Sequence, residues 1–269
     1  MKDIGLGIIC PTKYLDKFAI RSPYHLVLTH KVFEDEVYRD FYKERSDKGD
    51  YITLDNSSYE VGDGVFTNKD ILEAAKKVGA AEIMAPEEYL SSTLTYHKVA
   101  AFVEFFQRNQ LRVGIFATLH GKTMNDIAWL NRKFIQLRVA TIGVSCRLDP
   151  ENFGIDHPNE AFRRSFSRMR IVNNLSAEWR VSYHKPEYHM LGMNHPAELM
   201  YYQNNPMVRS IDSSAAFING MMGRTIDVFD YVKPEKKLDF NYTSLTEHKS
   251  VRVHKNIELL RKWGARDDS

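Results

Sequence analysis

Short β-prone runs alternating with longer segments of helical period constrain this chain more than any other feature. The runs occur at 4–10 (IGLGIIC), 24–30 (YHLVLTH), 51–56 (YITLDN), 81–86 (AEIMAP), 112–118 (RVGIFAT), 140–145 (ATIGVS), 188–193 (YHMLGM) and 208–213 (VRSIDS). Helical spacing of apolar residues marks KVFEDEVYRDFYKERS, NKDILEAAKKVGA, TYHKVAAFVEFFQRNQ, TMNDIAWLNRKFIQL and HPAELMYYQNN. Several of these open on Asn or Thr, whose side-chain oxygens satisfy free amides at a helix start. A helix between two strands carries the chain back to the end where it began, so the strands it joins run parallel. Eight such strands predict an α/β fold with a single (β/α)8 TIM-like barrel over residues 1–269, irregular where the first two strands lack a clear helix between them. Its 269 residues suit the roughly 250 that such a barrel needs. The polar stretch YVKPEKKLDFNYTSLTEHK reads as an irregular excursion before a last helix at roughly 246–263.

Composition limits the function classes. A hydrophobic fraction of 43% and a charged fraction of 27% are ordinary for a globular domain with a sizeable core. No run reaches the ~20 apolar residues that a bilayer requires, and the N-terminus lacks the layout of a signal peptide, so a cytosolic protein without membrane association is expected. The two cysteines, Cys10 and Cys146, are far apart in sequence, which suggests neither a disulfide framework nor a zinc site. No metal or cofactor is expected. A net charge of +2 is too small to mark a nucleic-acid binder by itself. Basic residues do gather in FRRSFSRMR (162–170) and in KSVRVHKNIELLRKW, where a phosphate-facing surface and a solvated helix face are both open readings.

In a parallel barrel the loops after the strands converge on one mouth, so chemistry collects at the strands' carboxyl ends. Here those ends carry Asp55 and Asn56, Glu87 and Glu88, His120 and Gly121, Ser145, and Asp212. Two carboxyls across one mouth suit displacement of a base from a sugar: one attacks the anomeric carbon while the other manages protons. Each aspartate alone also suits a helix cap or a turn. Of the pair Glu87 and Glu88, one carboxylate can accept two hydrogen bonds from a guanine-like edge, and the other is expected to be an exposed loop acid. His120 can donate to a base or simply end a strand. Tyr59 and Leu191 can sandwich a planar base or pack in the core, and Gly143 and Gly192 permit close approach of a ligand or of a neighbouring strand.

These segments together resemble the tRNA-guanine transglycosylase superfamily, and within it the compact 7-deazaguanine DNA transglycosylases of bacteriophages. LDNSSYE (54–60) is similar to the family's aspartate turn, which implies an acid/base role for Asp55 and base stacking by Tyr59. MAPEEY (84–89) resembles the segment whose acid binds the guanine edge, with Glu87 in place of aspartate. TLHG (118–121) matches a glutamine-glycine segment loosely, with His120 in place of glutamine, and IGVS (142–145) resembles the strand end whose amides meet the base, here at Gly143 and Val144. HMLGMNHPAEL (189–199) is similar to the strand and turn that bring the second stacking residue, Leu191, and Gly192. SIDSSAAF (210–217) looks like the segment of the nucleophile, which falls on Asp212. The resemblance runs from about Tyr51 to Arg224.

It implies replacement of guanine in a polynucleotide by a 7-deazaguanine through a covalent Asp212–sugar intermediate. The tRNA enzymes carry three cysteines and a histidine that bind zinc after the nucleophile, whereas residues 225–269 contain no cysteine. The zinc-binding subdomain is therefore not expected, and DNA becomes the favoured partner over tRNA, in the host-cell cytoplasm if the protein is phage-encoded. Arg147, Arg209 and Arg224 are candidate phosphate contacts. Exchange on tRNA, a retaining nucleoside or glycoside hydrolase, and a binding protein without catalysis are the alternatives. A possible homodimer is left open.

Overall fold

The computed structural model describes residues 3–62, 64–149, 153, 155–235 and 237–266. Eight strands form one parallel sheet: β1 (Gly5–Ile8), β2 (Tyr24–Leu28), β3 (Tyr51–Asp55), β4 (Glu82–Met84), β5 (Gly114–Thr118), β6 (Thr141–Ser145), β7 (Glu187–Leu191) and β8 (Val208–Ser213). Their order is β1-β8-β7-β6-β5-β4-β3-β2. β1 and β2 flank a seam without recorded ladder pairing, across which a Cβ on Gly5 would lie 3.2 Å from the Tyr24 ring. The sheet is thus a nearly closed barrel, as the strand and helix alternation predicts.

The helices are α1 (Leu15–Phe18), α2 (Thr29–Glu34), α3 (Glu36–Asp47), α4 (Ser58–Val61), α5 (Asn68–Val78), α6 (Ser92–Arg108), α7 (Met124–Gln136), α8 (Glu160–Val181), α9 (Ala197–Tyr202), α10 (Ala215–Met221) and α11 (Glu247–Gly264). Between β1 and β2 the crossover is only α1 flanked by two 3-10 turns, which explains the missing helical period there. Thr67 and Thr123 form reciprocal capping boxes with Asp70 and Asp126 at the starts of α5 and α7, each supplying acceptors for otherwise free amides. The longest helix, α8, has 22 residues and covers the basic run 162–170. That run is not a uniformly solvated face, because Arg168 within it is fully buried.

The apolar residues divide between two cores. The larger packs the helices on the outside of the sheet, and a small one of Leu26, Met84 and Phe116, with Ile9 and Leu191 against it, fills the lumen. Alternate side chains along each strand face one side, so the lumen is layered from the strand starts upward. At the bottom Glu82 accepts hydrogen bonds from Thr53, Thr141 and Tyr51, and it is ion-paired with Arg209 at 2.5 Å. The Arg209 guanidinium also lies over the rings of Tyr24 and Tyr51 and pairs with Glu187. This charged plug seals the end of the barrel opposite the mouth. No helix among the described residues is long and apolar enough to cross a membrane.

Candidate active site

Asp212 is the fifth residue of β8 and faces the mouth with its side chain 12% exposed. Its Oδ1 accepts the Gly192 backbone N–H at 2.7 Å and lies 3.0 Å from Nε2 of His189. The imidazole is itself fixed from below, with Nδ1 2.9 Å from the Ser210 hydroxyl and 3.3 Å from that of Tyr24. Gly192 reaches its position with φ +65, a left-handed conformation that favours glycine. On the other side, a Cβ on Gly7 would stand 3.1 Å from Cβ of Asp212, so β1 leaves little spare room for the carboxyl. The arrangement leaves the acid with one defined direction and two partners on the same oxygen.

Asp55 ends β3 and turns towards the same mouth. Burial, then the negative charges of Glu60, Glu87 and Asp212, hold its carboxyl well above the usual carboxylate range, against the opposing effect of a 2.6 Å hydrogen bond from the Ser57 N–H. That bond also shapes the turn, where Ser57 has φ +61, so Asp55 is both a turn former and a mouth acid. Glu60, on α4, is exposed at the mouth's rim, yet desolvation by the surrounding loops and the charges of Asp212 and Glu87 push it up to about 7, with Lys237 acting the other way. Four carboxyls thus share one mouth. Taking like charges out of water favours protonation of some of them.

Glu87 and Glu88 part company after β4. Glu88 is ion-paired with Lys98 at 2.7 Å on the outside. Glu87 turns inward, its Oε2 3.2 Å from Nε2 of His120. Neither atom has a well-aligned hydrogen-bond partner, and the buried hydroxyl of Thr118 is also unpartnered. Buried polar atoms are seldom left so; three together, at the ends of β4 and β5, combine a carboxylate acceptor with a hydroxyl and an imidazole nitrogen for hydrogen bonds to a ligand. Gly121 follows His120 and has a packing role, since a Cβ there would meet Asp126 at 2.6 Å.

Gly143 also serves packing: a Cβ would stand 2.5 Å from Phe116 and 2.9 Å from Leu191. Val144 is buried in the outer core. Its carbonyl and that of Leu191 both accept hydrogen bonds from Arg168, which is ion-paired with Glu198 in full burial. Leu191 lies against the lumen core, half-buried at the mouth floor. Tyr59, by contrast, is 56% exposed, with the cations of Arg147 and Lys237 over its ring at 5.2 and 4.9 Å. Tyr59 thus faces the solvent and its cations while Leu191 faces the lumen core.

Of the three arginines, only Arg147 is brought to the mouth. Arg209 lies at the strand starts, committed to Glu82 and Glu187, and so is not free for a phosphate. Its position as the second residue of β8 already sets it at the wrong end. Arg224 lies beyond α10, exposed. Beside Glu87, a pocket of about 260 Å³ opens between Asn56, Ser58, Phe66 and Lys98.

Sequence reasoning missed His189 and Glu60. Each lies inside a segment singled out by pattern, at 189 in HMLGM and at 60 in LDNSSYE. Strand periodicity held the clue to the first, because His189 and Leu191 must share a face. Among the described residues no three His, Cys, Asp or Glu side chains form a group able to hold a metal ion. Neither a scan against protein-family models nor a search of the curated proteins finds a match. The fold and the mouth together define the class: a parallel barrel whose carboxyl-end loops gather acids around an oriented aspartate.

Proposed function

We propose that the protein is a base-exchanging transglycosylase that replaces guanine in DNA with a 7-deazaguanine. The observation that carries this reading is the pairing of two carboxyls at one mouth: Asp212, oriented by the Gly192 N–H and His189, and Asp55 at the end of β3, whose turn is fixed by the Ser57 N–H and whose carboxyl burial and the neighbouring acids shift towards the protonated form. Acid–base assignments follow from such environments. Asp212 attacks C1′ as the glycosidic bond breaks, and the leaving guanine takes its proton from Asp55. The incoming base then returns a proton to Asp55 as its ring nitrogen attacks C1′ and frees Asp212. Glu87 and His120, 3.2 Å apart, present polar atoms with no well-aligned hydrogen bond to the base edge, and Leu191 offers an apolar floor. A guanine inside a duplex is out of reach, so the nucleotide is single-stranded or flipped out.

A denaturing gel tests the reading. A covalent adduct between protein and a guanine-containing DNA strand is expected with the wild type and absent in Asp212→Ala. Labelled guanine leaving DNA without labelled base entering it would instead identify a hydrolase, and equal exchange on tRNA would remove the preference for DNA.

A further inference from the structure

On the rim outside His120, cations and aromatic rings alternate. Tyr89 stands edge-on to His120 with centroids 5.9 Å apart. The Arg147 guanidinium lies 4.4 Å from the centre of the Tyr89 ring and 5.2 Å from that of Tyr59, and Lys237 lies 4.9 Å from Tyr59 on the far side of the series. Both rings are open to solvent, Tyr89 at 44% and Tyr59 at 56%. Among the described residues neither Arg147 nor Lys237 has a carboxylate within salt-bridge distance, whereas Lys98, Arg163 and Arg209 around the barrel are all paired. Lys237 comes from the excursion after α10, which also sets Lys233 against Asn194 at 2.7 Å. The excursion therefore reaches from the end of β7 to the loop after β3.

The charge pattern limits how an anionic strand can lie. Asp55, Glu87 and Asp212 stand at the strand ends inside the mouth and repel phosphates, while Arg147 and Lys237 attract them at one edge. Exposed rings interleaved with exposed cations are what a single strand needs, stacking for bases and charge for the backbone. We infer that Tyr89, Arg147 and Lys237 grip the nucleotide next to the reacting one in a single DNA strand: Tyr89 stacks on its base, and the two cations hold its phosphates. The inference rests on the proposed transglycosylase reading and extends it from the reacting base to its neighbour.

The test is fluorescence anisotropy with a labelled single strand containing one guanine, compared with the same strand made abasic beside that guanine, without free base and over a series of salt concentrations. Wild-type protein is expected to bind the intact strand roughly tenfold more tightly than the abasic one. Tyr89→Ala should lose that difference and leave the salt dependence unchanged. Lys237→Ala should keep the difference and lower the slope of log affinity against log salt by about 0.7, the share of one phosphate contact on a single strand. Tyr89→Ala weakening both strands equally would assign the ring a structural role and overturn the inference, as would a wild type indifferent to the abasic site. Wild-type protein that binds neither strand at any salt would remove the transglycosylase reading itself, and this inference with it.

Discussion

Asp212→Asn should make the protein inactive yet more stable above neutral pH. The carboxyl of Asp212 is among the charges that raise both Asp55 and Glu60, and asparagine keeps an oxygen for the Gly192 N–H. The sign follows from proton counts. Glu60 titrates near 4.5 when unfolded and at about 7 when folded. Between those values the native state holds more protons than the unfolded chain, so stability falls as pH rises through that window. Removing the Asp212 charge lowers the folded-state values of Asp55 and Glu60 and makes the fall shallower. A like-charge contact at a partly wet mouth amounts to about 1 kcal/mol, or roughly 2–4 °C in Tm for a domain of this size. Thermal unfolding at pH 5 and pH 8 provides the assay: near-equal midpoints at pH 5, and the variant higher at pH 8. A variant that is less stable at pH 8, or that tracks the wild type at both, would refute the view that the four acids repel one another.

Asp55→Asn should remove the alkaline limb of the exchange pH profile, because that limb reflects loss of the Asp55 proton; an unchanged limb would assign it elsewhere. Gly143→Ala should destabilise by about 1–3 kcal/mol in denaturant titration, since the new methyl overlaps Phe116 and Leu191 and overpacked cores strain by that much. Arg209→Met should cost about 3–5 kcal/mol by leaving Glu82, which is fully buried, without its partner. The same variant should leave the salt dependence of DNA binding unchanged, because Arg209 is at the closed end of the barrel.

The barrel was legible because its signals are local and repeated: β-prone runs, helix caps and acids at strand ends. α8 was read only as a basic stretch because its five arginines mask a narrow apolar face, and one of them, Arg168, turns inward to the carbonyls of Val144 and Leu191. Residues at the mouth were legible where strand-end position and type coincide, as for the acids Asp55, Glu87 and Asp212. His189 was not, since a histidine inside an apolar strand acquires meaning only when Ser210 and Asp212 of the next strand are set beside it. The pair Tyr59 and Leu191 illustrates the converse: the residue types suited a stack, but α4 projects Tyr59 outward to Arg147 while strand alternation turns Leu191 into the lumen.

The two ends of the lumen use the same chemistry to opposite effect. At the bottom Glu82 is met by an arginine, two hydroxyls and a phenol, and the arginine and the two hydroxyls hold its carboxyl below the usual range despite burial. At the top, Asp55 has one backbone N–H against burial and the charges of three other acids, and its carboxyl moves the other way. Satisfying a buried charge stabilises a fold, and leaving one unsatisfied destabilises it. The top acids therefore stand at a sustained energetic disadvantage that packing does not require, since the outer core alone is continuous around the barrel. A ligand that donates hydrogen bonds to Glu87 and the neighbouring carboxylates relieves that disadvantage. A base entering the mouth should thus raise Tm more at pH 8, where the acids repel, than at pH 5, where protonation has already relieved them. Equal shifts at the two pH values would mean that the ligand binds away from the acids.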